Sequence, residues 1–144
     1  MSKYDVSRFV RAQEETHTAA VRELRNGEKL THWSWWEIPQ ITGLGSSYTS
    51  QRYAISSIGE AKAFLQNETL RSHLLEICEA LLSLETNDAR AVMGAIDHRK
   101  LRSCMTLFLE AVPECAEFRS VLEKYYGGKK DHRTLAILRK QSEE

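Results

Sequence analysis

Leu70, Leu74, Ile77, Leu81 and Leu84 stand three or four residues apart along an otherwise polar stretch. That spacing lines one face of an α-helix, whereas a strand would scatter the same side chains over both faces. A helix with so continuous an apolar stripe must lay it against other elements, because a lone helix in water is marginal. The chain therefore has to supply further helices or a sheet to receive it.

The rest of the sequence supplies helices. Phe9, Ala12, Thr16, Ala20 and Leu24 share a face, with Asp5 or Ser7 placed to cap the start and Asn26-Gly27 the end. A short turn of helix is expected near Tyr48 to Tyr53. Ser57 and Glu60 have capping-box spacing ahead of Ala61, Phe64 and Leu65. Asn87-Asp88 restarts a short helix ending near Gly94. Asp97 opens and caps another, with Leu101, Cys104, Met105 and Phe108 inward until Pro113. Phe118, Val121, Leu122 and Tyr125 follow before Gly127-Gly128, and Asp131 caps a last helix through Leu135 and Leu138. No alternating strand pattern, repeat or linker competes. The reading is all-α, a single compact domain over residues 1–144 with about seven to eight helices.

Composition fits that reading. A chain of 144 residues buries about 68% of its exposable surface on folding, enough for one self-sufficient core. Twenty basic and twenty acidic side chains cancel, which makes nucleic acid an unexpected partner. The apolar run from Cys104 to Leu109 is too short to span a bilayer, so no membrane partner is expected. Three cysteines, each in a helical pattern, and no amino-terminal apolar stretch point to reduced thiols and a cytoplasmic address. Cys104 falls among inward apolar residues, where a thiol pKa rises, and is read as core. His17, His32, His73, His98 and His132 are dispersed, without the spacing of a zinc pair, and no cysteines are close; neither metal nor cofactor is expected.

The segment 31–47 is the densest in site-forming chemistry. It holds Trp33, Trp35 and Trp36, with His32 before them and Gln40, Gly43, Gly45 and Ser46 after. Spacing places Trp33 and Trp36 together and Trp35 off to the side. Part of this set anchors the core, and a ring left in a pocket can stack on a base or another flat ring. His32 offers an imidazole that can orient a ligand, act as acid or base, or serve as a structural donor. The turn 43–47 permits close backbone approach to an anion, or is simply a loop needing glycine. In the helix opened by Asp97, Lys100, Ser103 and Thr106 form a second polar set, with Arg102 on another edge. Lys100 falls at the boundary of core and solvent, its stem packed and its ammonium free to reach an anion.

Residues 97–108, together with His32-Trp33-Ser34-Trp35-Trp36, Pro39-Gln40 and Gly43-Leu44-Gly45, resemble the bacterial and fungal family catalogued as domain of unknown function 1810. Tyr53-Ala54-Ile55, Tyr125-Tyr126-Gly127-Gly128, Asp131 and Thr134-Leu135 fit the same pattern. The resemblance covers nearly the whole chain and implies a small helical domain. The label calpastatin carried by some members describes a disordered, proline-rich inhibitor, unlike these helical stripes. Glu37 and Cys104 depart from the family pattern, which has an aliphatic residue and a serine there. Phe64-Leu65-Gln66-Asn67, Leu70, Leu74-Leu75 and then Asp97 are similar in order to NADAR-type N-glycosidases. That similarity transfers no catalytic residue, but it raises N-glycosidic hydrolysis above other reactions.

Two function classes follow. One is a protein binding a nucleotide- or ADP-ribose-like molecule between the tryptophan segment and the Asp97 helix. In its hydrolytic form Asp97 and His32 are the catalytic candidates. The other is a non-catalytic interaction module presenting the tryptophans to a protein partner. A concave, polar-bottomed cleft separates the first from the flat patch of the second.

Overall fold

The apolar stripes are answered by helices packed on helices. The computed structural model describes residues 3–143. Its elements are α1 (Ser7–Arg25), α2 (Ser34–Glu37), α3 (Tyr48–Arg52), α4 (Ile58–Gln66), α5 (Glu68–Leu82), α6 (Ala89–Met93), α7 (Asp97–Ala111), α8 (Ala116–Tyr126) and α9 (His132–Ser142). The described residues thus hold nine helices rather than seven or eight. The extra turn, α2, lies in the tryptophan segment and is too short to impose a period on the sequence. The β-type pairing among the described residues is one parallel bridge between Ile41 and Ile55, which pins the loop after α2 to the chain entering α4.

α7 forms the centre, buried at Leu101 and then continuously from Ser103 to Leu109, with α4, α6, α8 and α9 around it. α1 lies along α5 and touches α2. Phe9, Phe64, Phe108 and Phe118 stitch α1, α4, α7 and α8 into one core, with successive ring centroids 5.1, 5.0 and 6.1 Å apart. Each ring contributes about 1.5–3 kcal/mol by leaving water.

Local signals set most ends. Ser57 Oγ accepts from the Glu60 N–H, while Glu60 reaches back to the Ser56 N–H rather than that of Ser57. Asp131 accepts from the Thr134 N–H and starts α9. Gly127 adopts φ +62°, and the Gly128 N–H closes onto the Leu122 carbonyl, so α8 ends where the paired glycines allow.

Two starts depart from the sequence reading. Val6 occupies the cap position of α1 without a side-chain bond, and Asp5 instead accepts from the Ser7 N–H. Asp97 is the first residue of α7 and not its cap. The turn before it already supplies carbonyls, since Gly94 accepts from His98 and Ile96 from Arg99. The Asp97 carboxylate is thereby released for other partners.

Candidate functional site

α2 is one helical turn whose residues face different ways. Trp33, at its cap position, is 1% exposed and donates its indole N–H to Glu23 at 3.0 Å. Glu23 also accepts from the Leu30 N–H (2.8 Å), the Thr31 N–H (3.0 Å) and the Thr31 hydroxyl (2.5 Å). Burial pushes this carboxyl up, but the donors outweigh it and hold the pKa at about 2. Glu23 thus fixes the loop that delivers α2. Trp36 donates to Thr16 at 2.9 Å and meets Tyr53 edge-on.

Trp35 is placed differently. Half-buried, it lines a cavity of about 400 Å³ with Lys29, His32, Ser34, Asp97 and Lys100. The Lys100 ammonium lies 4.9 Å from the Trp35 ring centroid, within cation–π range. Asp97 bridges Lys29 at 2.9 Å and Lys100 at 3.2 Å. Burial raises the Asp97 pKa, yet Lys29, Ser34 and Lys100 together leave it below the ordinary value, so the group is an anion. The Ser34 hydroxyl is buried and falls short of hydrogen-bond geometry with any protein group, although it still favours the Asp97 carboxylate. His32 is exposed at the mouth, its ring 6.4 Å from Trp35.

A second cavity of about 470 Å³ shares Ile96 and Lys100 with the first, so the two adjoin across these side chains and are together called the cleft. Arg99, Lys100, Arg102 and Arg133 line it against a single carboxylate, Asp131. Asp131 is already engaged by Ser103 at 2.9 Å and by the Thr134 N–H and hydroxyl. His98 also lines this part, its Nε2 buried without a partner. Burial, then Arg90 and Arg99, lower its pKa and favour the neutral ring.

The sequence-derived residues divide accordingly. Asp97, His32, Trp35, Lys100, Arg102, Ser103, Gln40 and Gly45 line this cleft, and Gly43 lies in a small adjoining hollow beside Trp35. Trp33 is core and Trp36 is packed against it. Thr106 is fully buried, accepting the Asp131 N–H at 2.9 Å and donating to the Arg102 carbonyl. Arg102 also braces the α8–α9 loop through the Lys129 and Lys130 carbonyls. Ser46 is exposed outside the cavity walls. Gly45 is demanded by packing, since a Cβ there would lie 2.6 Å from that of Ser50. Lys29, Ser34, His98, Arg99 and Arg133 escaped the sequence reading. His98 and Arg99 sit in the motif beside Asp97, and Ser34 within the tryptophan motif, whereas no local pattern marks Lys29.

On the other side of α2 lies a second polar cluster. Glu37, fully buried at its side chain, accepts from Thr16 at 2.7 Å and meets His17 Nδ1 at 2.9 Å. His17 Nε2 meets Glu76 at 3.2 Å, and the His17 ring stacks on that of His73. Two of the five dispersed histidines, His17 and His73, thus meet in space, and with Glu76 they bring three ligand-type atoms within 4.8 Å of one another. Cys78 and Cys104 are buried and their thiols pushed up by that burial, as the inward reading of Cys104 requires. No helix among the described residues is long and apolar enough to cross a membrane.

Comparison with known proteins agrees with the motifs. The crystal structure at 1.38 Å of the conserved hypothetical protein Rv1873 from Mycobacterium tuberculosis is similar to this chain at 42% identity and a TM-score of 0.92. The similarity spans 94% of this chain and 97% of that one. No functionally curated protein matches. The family described as protein of unknown function (DUF1810) matches residues 3–138. With nearly the whole chain matched and the fold shared, the protein belongs to the DUF1810 family.

Proposed function

We propose that the protein binds a small anionic molecule carrying a flat ring, of nucleotide or ADP-ribose type, in the cleft between α2 and α7. The observation that carries this reading is the juxtaposition of Trp35, Lys100 and the unpaired, buried Ser34 hydroxyl in one concave cavity. Trp35 offers a face for stacking, and Ser34 offers a hydroxyl that the protein itself leaves unsatisfied, which is costly unless a ligand or water meets it. The four basic side chains of the adjoining cavity suit phosphate oxygens. The two volumes fall in the range of small-molecule sites.

N-glycosidic hydrolysis is the reaction this arrangement supports best. Asp97 is the only carboxylate among the residues lining the Trp35 cavity and is held as an anion, the form that stabilises an oxocarbenium-like centre. His32, exposed at the mouth, is the group from which a leaving base would take a proton. The second reading, a protein-binding module, is favoured by Ile96, 74% exposed on the wall shared by both cavities. Against it, the tryptophans form no flat patch: one is core, one is packed and one faces a cavity.

A thermal-shift screen against nucleotides, NAD and ADP-ribose tests the binding reading. A ligand at a hundred times its Kd adds about 2.7 kcal/mol, or roughly 5–11 °C for a domain of this size. The shift should disappear in Lys100→Ala, a variant in which Asp97 keeps its other ion-pair partner, Lys29, at 2.9 Å. No shift with any of these compounds would leave the protein-binding reading in front.

A further inference from the structure

Outside the cleft, His17, His73 and Glu76 bring three ligand-type atoms within 4.8 Å of one another. We propose that they form a binding site for a first-row transition-metal cation of the zinc class, with Glu37 and Gln13 as the groups that orient the two histidines.

Each ring commits its Nδ1 to an acceptor elsewhere in the fold. Gln13 donates its amide N–H to the Trp36 carbonyl at 2.7 Å, which turns its Oε1 toward His73 Nδ1, 2.8 Å away. His73 Nδ1 must therefore carry a proton, and Nε2 is left with its lone pair. His17 Nδ1 faces the buried Glu37 carboxylate at 2.9 Å, which likewise keeps a proton on that nitrogen and directs Nε2 toward Glu76. An acceptor behind each Nδ1–H is the arrangement that fixes the tautomer and raises the basicity of metal-binding imidazoles. His17 Nε2 and Glu76 Oε1 stand 3.2 Å apart, close to the separation of two ligands on a tetrahedral ion at about 2.0–2.1 Å from each. In the metal-loaded state the ion replaces the proton that otherwise bridges these two atoms.

Two imidazoles and one carboxylate suit zinc, copper or nickel over magnesium, which prefers an all-oxygen octahedron. The Glu76 side chain is 47% exposed, so an ion has an entry path and a coordination position open to solvent. The His17 and His73 rings lie 3.6 Å apart and 13° from parallel, which points their lone pairs side by side rather than at one spot. Loading must therefore tilt the His73 ring out of the parallel stack about its Nδ1–H···Oε1 bond to Gln13, a motion that gives up the ring contact and keeps the hydrogen bond.

Calorimetric titration of the metal-free full chain with Zn²⁺, with Mg²⁺ as control, decides the matter. The expected result is one Zn²⁺ per chain and no Mg²⁺ heat, with affinity lowered at least tenfold in both Glu76→Gln and His73→Gln. Substitution with Co²⁺ should then give the visible absorption of a tetrahedral site, lost in the same variants. Glu76→Gln, at a half-exposed side chain, keeps the test valid should His73→Gln fold poorly. Absence of stoichiometric Zn²⁺ binding, or Zn²⁺ binding that Glu76→Gln leaves unchanged, would overturn the proposal and leave the cluster as a proton-bridged structural network.

Discussion

Trp33 and Trp35 are two residues apart on the same short turn, yet the protein uses them in opposite ways. Beside Trp33 the polar network is closed: its indole N–H and three neighbouring donors converge on Glu23. Around Trp35 the accounts stay open, with Ser34 unsatisfied, Lys100 against a half-exposed ring and Asp97 shared between two lysines. A closed polar network rigidifies the chain, whereas an open one beside a cavity invites a ligand. The first region explains how the loop before α2 is held, and the second is where we place function.

The largest effect that would sharpen this contrast belongs to Glu23. Its pKa falls from an ordinary 4.5 to about 2 in the folded state. The linked stability is complete above about pH 4.5 and is lost as the pH falls toward 2, a contribution of about 3 kcal/mol. Glu23→Gln should remove most of it at neutral pH, because the amide accepts fewer of the four donors, and should flatten the acid limb of the denaturation profile. An unchanged acid limb in urea titrations at several pH values would break the structural half of the comparison.

Thr106 comes next. Thr106→Val keeps the shape but leaves the Asp131 N–H without its acceptor, at a cost of about 1–3 kcal/mol. Ligand affinity in the folded fraction should stay the same, since Thr106 faces the α9 cap and not the cleft; a selective loss of affinity would return this residue to the site. Ser34→Ala carries the smallest effect on stability. It removes an unsatisfied buried hydroxyl, so chemical denaturation should show a change within about 0.5 kcal/mol of zero or a slight gain. Affinity for the bound molecule should fall. A destabilisation of several kcal/mol would mean the hydroxyl is satisfied within the fold, and the contrast with Trp33 would collapse.

The helices were legible because their signals are local. The stripe from Leu70 to Leu81, the Asp131 cap and the Gly127-Gly128 stop each act within a few residues, and each stands where its chemistry predicts, whereas Leu84 falls beyond the end of α5 at Leu82. Half of the cleft was legible for the same reason: Lys100 follows Asp97 by one helical turn, and its boundary position follows from Leu101 and Met105. The rest depends on distant convergence. Lys29 reads as an ordinary loop lysine until Glu23 folds its loop back and buries the side chain against Asp97 and the Trp33 ring. Asp97 read as a cap because the carbonyls of the preceding turn, which make a cap unnecessary, come from Gly94 and Ile96 and carry no side-chain signature. His17 reads as one of five dispersed histidines because its partners, His73, Glu76 and Glu37, come from two other helices. The one local clue was the three-residue spacing of His73 and Glu76.

The most direct test of the open half of the molecule is calorimetric titration of AMP and of ADP-ribose into the wild-type protein and Trp35→Ala. The account predicts saturable binding of at least one of them to wild type, weakened tenfold or more when the half-exposed ring is removed and the fold retained. Equal affinity in the two proteins, or no binding of either compound to wild type, would contradict the assignment of this cleft to a nucleotide-like ligand.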